Sequence, residues 1–83
     1  MGKLFEPDIS VPIEPNQIWS VRNGAGQLLR RIRILAEYPS PGEEVYWIYE
    51  VAAGGIMQRT TGELGRIPEF NLRYVFELEP DGN

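Results

Sequence analysis

With 83 residues, no cysteine, no histidine and a net charge of −4, the chain is sized for one domain. It has no means of making a disulfide or a cysteine- or histidine-based zinc site. The missing histidine also removes the commonest general base and the commonest metal ligand, so a non-enzymatic protein without a cofactor is expected.

The charge is unevenly placed. Residues 1–15 carry a net −2 and residues 76–83 a net −3, while the seven arginines and six glutamates of residues 16–75 leave a net +1. A nucleic-acid-binding domain is normally strongly basic, and neither part of this split is. The opening MGKLFEPDIS holds one lysine and no apolar run before Glu6 and Pro7, which is not the pattern of a signal peptide. No stretch approaches the roughly 18 apolar residues of a membrane span. The expectation is a cytoplasmic protein that does not engage a membrane.

Pro7, Pro12 and Pro15 argue against helix and central strand over the first fifteen residues. Ile9, Val11 and Ile13 alternate, so residues 1–14 read as an extended arm with those side chains tucked against the body. A disordered acidic tail up to Ser10 is the alternative. Residues 15–79 read as the folded domain and residues 80–83 as a tail.

QIWSV, residues 17–21, begins the strand signals and meets Asn23-Gly24, a strong two-residue hairpin cue that the following Ala25-Gly26-Gln27 softens toward a longer loop. Leu28 to Tyr38 is a long candidate strand, and PSPGEE after it is a loop. Glu44 to Ala52 (EVYWIYEVA), rich in β-branched and aromatic residues, is the strongest strand signal in the chain. Ala53-Gly54-Gly55 is a turn, IMQRTT a further strand, and GELGR a loop. In IPEFNLRYVFELEP, Pro68 suits the first position of a helical turn and Glu69 its positive end. Phe70 and Tyr74 then share a face, and a short strand over Tyr74 to Leu78 closes the chain. Five short strands and one helical turn suggest a small barrel or rolled sheet.

LLRRIRIL, residues 28–35, places three arginines in eight residues and poses the main functional question. Alternation puts Leu28, Ile32, Ile34 and Ala36 on one face and Leu29, Arg31, Arg33 and Leu35 on the other. In the next strand Val45, Trp47, Tyr49 and Val51 share the core face. Tyr46, Ile48 and Glu50 lie outside, so Arg31 and Arg33 are expected over the same outer surface, stacking on Tyr46 or pairing with Glu50. The candidate binding face is therefore Arg31, Arg33, Tyr46, Ile48 and Glu50. It is read either as a solvated strand face or as an interface of the aromatic and arginine kind enriched in protein contacts. Other groups carry less. NGAG and AAGG lack the lysine of a phosphate loop. TTGE resembles a helix start with no apolar run behind it. Glu43-Glu44 and Glu77/Glu79 read as surface charge, and Trp19 and Trp47 as core anchors.

Asn16-Gln17-Ile18-Trp19, Arg33-Ile34-Leu35, Val45-Tyr46-Trp47, and Phe70 with Tyr74 ahead of the last strand occur in that order. Together they resemble small SH3-like barrel proteins of bacteriophages, especially phages of actinobacteria. The resemblance covers about Pro15 to Leu78. Trp47 departs from it, standing where a tyrosine is more usual. It implies an all-β, five-stranded SH3-like barrel with one short helical turn before the last strand. Because the matching positions are hydrophobic framework, it speaks to fold more than to activity. Many such proteins have no known function, and some small phage proteins act by binding a host protein. The peptide-groove pattern of signalling SH3 domains is absent. The expectation is an interaction module with a protein partner. The alternatives are a small-barrel nucleic-acid binder using Arg30, Arg31, Arg33 and exposed aromatics, which the nearby glutamates disfavour, and a homodimer through Tyr46 and Ile48.

Overall fold

The computed structural model of the chain describes residues 11–39, 41–42 and 44–80. The expectations for residues 1–10 and 81–83 lie outside the described residues. Five strands and one helix follow in the order β1 (Ile18–Arg22), β2 (Leu28–Tyr38), β3 (Tyr46–Ala53), β4 (Ile56–Pro68), α1 (Glu69–Val75) and β5 (Glu77–Leu78). The strands form one antiparallel sheet in the order β4-β3-β2-β1-β5. The fold is therefore all-β with one short helix. Among the described residues the outermost strands, β4 and β5, do not pair with each other and no further strand joins either, so the described sheet is not closed.

One face of the sheet carries the core. Trp19 stands opposite Ile32, Ile32 opposite Val51, and Ile34 opposite Tyr49. Ile13, Leu72 and Phe76 join them in one buried cluster. Ile32, Ile34 and Leu72 are fully buried, each stabilising the fold by about 1.5–3 kcal/mol relative to exposure. Both tryptophans are buried, and Val45 and Tyr49 pack against the cluster. The core-facing alternation of β3 thus matches the sequence pattern.

The approach to β1 is held by one side chain. Gln17 accepts from the Glu14 backbone N–H and from Trp19 Nε1, both at 3.0 Å, while its own Nε2 donates to the Pro12 carbonyl at 2.9 Å. Two residues apart on a strand, Gln17 and Trp19 point the same way, which is why the pair can clasp. Asn16 sits at φ 75, a left-handed conformation that asparagine tolerates better than most residues. Its N–H donates to the Ile34 carbonyl, and the Ile34 N–H returns to Gln17. These bonds bring Ile13 into the core. Beyond it, the Val11 carbonyl accepts from Arg73 Nη1 at 2.6 Å.

Of the two forms that the sequence leaves open for the β1–β2 connection the longer is present, and several other local expectations are corrected. Asn23 Oδ1 accepts from the N–H groups of Ala25 and Gln27, and the positive φ falls on Gly26, so Asn23 works through its side chain rather than as a turn corner. Ala36 does not share the inner face with Ile34. The β2–β3 register slips between Ile34 and Ala36, leaving Leu35 as a bulge. A single extra residue inverts the alternation beyond it. Ala36 and Tyr38 consequently face outward with Ile48 and Tyr46.

GELGR is not a loop but part of β4, which runs on to Pro68. Its pairing with β3 slips twice. Gly62, at φ 81, and the Thr61 Oγ1 that accepts from the Glu63 N–H lie within the second slip, so residues that look like a turn make a bulged strand. Gly65 is required by contact, since a Cβ there would stand 2.6 Å from the Tyr49 ring. Pro68 is the residue before the helix rather than its first turn, because its ψ of 144 is extended. The helix runs to Val75, and β5 shrinks to Glu77–Leu78.

Candidate functional site

The outer face of the sheet is where the sequence placed its candidate residues. Cross-strand partners define it: Ser20 opposite Arg31, Arg33 opposite Glu50, Ala36 opposite Ile48, Tyr38 opposite Tyr46, and then Ile48 opposite Arg66 and Glu50 opposite Leu64. Arg31, Arg33, Tyr46, Ile48 and Glu50 do lie on this one face. They do not, however, form one cluster.

Arg31 is engaged at the β1 end. Its Nε and Nη2 grip the two carboxylate oxygens of Glu79 at 2.9 and 2.5 Å, and Nη1 donates to the Gly55 carbonyl at 2.9 Å. This two-pronged geometry suits guanidinium and carboxylate. The Glu79 side chain is only 18% exposed. Its pKa is held below the ordinary carboxylate range, chiefly by the hydrogen bond from Arg31 and further by one from Ser20, against the opposing effect of burial. Glu79 is thus a structural partner and not the surface charge that its sequence context suggests. The 48-residue separation from Arg31 leaves no local signal for the pair. Gly55 is tied to the same place. It closes the β3–β4 turn with Gly54, both at positive φ, and a Cβ on it would meet Leu28 at 2.6 Å.

Arg33 is engaged next to it. Its Nε donates to Glu50 Oε2 at 2.6 Å, with Nη2 at 2.5 Å from the same oxygen. The pairing with Glu50 anticipated from alternation is present and follows from their standing directly opposite each other. Neither arginine stacks on Tyr46.

That position belongs to Arg66, which sequence reading missed because its segment read as a loop. Its guanidinium carbon lies 4.8 Å from the centre of the Tyr38 ring and 6.0 Å from that of Tyr46. The bulge at Leu35 turns Tyr38 outward, and continued β4 pairing brings Arg66 opposite Ile48. Arg66 is exposed, and Tyr38, Tyr46 and Ile48 are half-buried. Among the described residues no carboxylate lies within ion-pair distance of Arg66. The nearest acidic feature on Tyr46 is Glu44, which accepts from its hydroxyl at 3.3 Å.

The helix side is arranged differently. Glu69 takes Arg73 Nε at 2.9 Å and Trp47 Nε1 at 3.3 Å on its two oxygens. Phe70 and Tyr74 stack at 5.7 Å with both rings exposed. Among the described residues no group of three or more acidic side chains is placed to hold a metal ion, and no helix is long and apolar enough to cross a membrane.

Comparison with protein-family models, with curated proteins and with solved structures returns no match to this chain.

Proposed function

We propose that the chain is a non-enzymatic interaction module that binds a protein partner through the β3–β4 end of its outer sheet face. The observation that carries this reading is the contiguity of Tyr38, Tyr46, Ile48 and Arg66. Tyrosine and arginine are the residue types that most often dominate binding energy at protein interfaces. Arg31 and Arg33 support the face without contacting the partner, because each is already committed to a carboxylate. The same commitment speaks against nucleic-acid binding through them, since a paired guanidinium offers a phosphate little net field.

The sheet order, with a helix between the last two strands, fits the resemblance to small SH3-like barrels. A phage-encoded protein acting on a host protein in the host cytoplasm is the setting we infer from that resemblance. The test is affinity capture from a bacterial lysate with the wild type, Ile48→Glu and Arg66→Glu. A partner retained by the wild type and lost by both variants is expected. An identical set of captured proteins from all three would overturn the reading. Sedimentation over a range of concentrations checks the homodimer alternative, and a monomer throughout is expected.

A further inference from the structure

β4 is an end strand of the sheet, and its register shows which backbone groups it leaves open. The Glu69 N–H donates to the Val45 carbonyl at 2.7 Å, which marks the bonded phase of the ladder. Two residues further on at each step, Trp47 with Ile67 and Tyr49 with Gly65 are then the pairs that exchange bonds. The alternate residues, Leu64 and Arg66, direct both N–H and C=O away from β3. Pro68 shares their phase, where its missing N–H costs the ladder nothing. Among the described residues no backbone bond outside the ladder involves Leu64 or Arg66. An open edge of this kind is a template for another strand.

The same two residues present their side chains on the outer face, where Arg66 rests against Tyr38 and Tyr46. Stacking occupies the flat faces of a guanidinium and leaves its rim of N–H donors free. A carboxylate approaching in that plane completes the group, as Glu79 does for Arg31 and Glu50 for Arg33. Lying over the Tyr38 ring with Tyr46 next to it, Arg66 also has less side-chain freedom to lose on binding.

Building on the interaction-module reading, we propose that the free edge of β4 receives an extended segment of the partner protein as an added strand. A carboxylate on that segment is bound by Arg66 beside the two tyrosines. Backbone bonds to Leu64 and Arg66 provide the docking, and the arginine selects an acidic residue at one position.

The experiment uses the full chain and two synthetic peptides, acetyl-Thr-Val-Thr-Val-Glu-Val-Thr-Val-amide and its counterpart with lysine in place of glutamate. Binding is followed by fluorescence anisotropy and by amide NMR shifts. The acidic peptide is expected to bind about 10-fold more tightly than the basic one. Its shifts should centre on the amides of Leu64 and Arg66, and Arg66→Met should abolish the preference between the peptides without changing the thermal midpoint. Equal binding of the two peptides, no binding, or shifts centred on Phe70 and Tyr74 would overturn the proposal. So would a concentration-dependent shift of the Arg66 amide without peptide, which assigns the edge to a second copy. A gain in peptide affinity on Glu6→Lys/Asp8→Lys would also overturn it, by giving the edge to this chain's own segment. Failure here alongside successful partner capture removes the edge assignment alone, whereas failed capture removes the module reading itself.

Discussion

At the β1–β2 end of the outer face, Arg31 spends its donors on Glu79 and the Gly55 carbonyl, and Arg33 spends its own on Glu50. At the β3–β4 end, Arg66 lies against Tyr38 and Tyr46 with no carboxylate among the described residues to meet it. The same residue type thus serves as a fastening in one region and as an exposed group in the other. What separates them is whether the fold brings an acid to the guanidinium: β5 carries Glu79 to Arg31. Arg33 faces an acid and Arg66 faces Ile48. A cluster of arginines in sequence is therefore a poor guide to a binding surface, and one arginine in a turn-like segment can be the more available group.

Both regions stand on the same core, so the largest effect is expected from removing it. Leu72→Ala, at a fully buried position, should cost about 2–5 kcal/mol and lower the thermal midpoint while disturbing both ends together. Gly65→Ala should act locally at the β3–β4 end. Its new methyl group meets the Tyr49 ring, and a cost of about 2 kcal/mol in chemical denaturation is expected. That variant should also displace Arg66, next to it in β4, and so weaken partner binding.

The fastening at the other end is tested by Arg31→Met and Glu79→Gln. Each should cost about 1–2 kcal/mol, since one change leaves a half-buried carboxylate without its cation and the other removes the charge that the cation binds. Acid should act on the same contact. The Glu79 pKa is depressed in the folded chain. Its stabilising contribution is therefore fully present above the ordinary carboxylate range and is lost as the pH falls through that range toward the folded value. Denaturation followed against pH should show this loss in the wild type, with a shallower acid slope for Glu79→Gln. The smallest stability effect belongs to Arg66→Met, within about 0.5 kcal/mol. If it instead costs as much as Arg31→Met, the contrast between the two ends fails.

The alternation of β3 was legible because Val45, Trp47, Tyr49 and Val51 repeat with the period of a strand. The Arg33–Glu50 pair was within reach, because opposed positions on neighbouring strands follow from alternation alone. Arg66 was not, for two physical reasons. A bulge at Leu35 reverses which face Tyr38 occupies, and bulges leave little mark on composition. Gly62 and Gly65 read as loop formers, although one accommodates the bulge and the other makes room for a ring.

Local chemistry in the chain thus determined the number and order of the strands, the two tryptophan anchors, the Gly54-Gly55 turn and the helical segment behind Pro68. Each depends on residues a few positions apart. Only the tertiary structure decided which arginines are already bound and which is exposed. Glu79 reaches Arg31 because β5 pairs with β1 beside β2, and Arg66 reaches Tyr38 because β4 and β2 flank β3. Those neighbours are made by sheet order, and sheet order is a property of the whole packed chain.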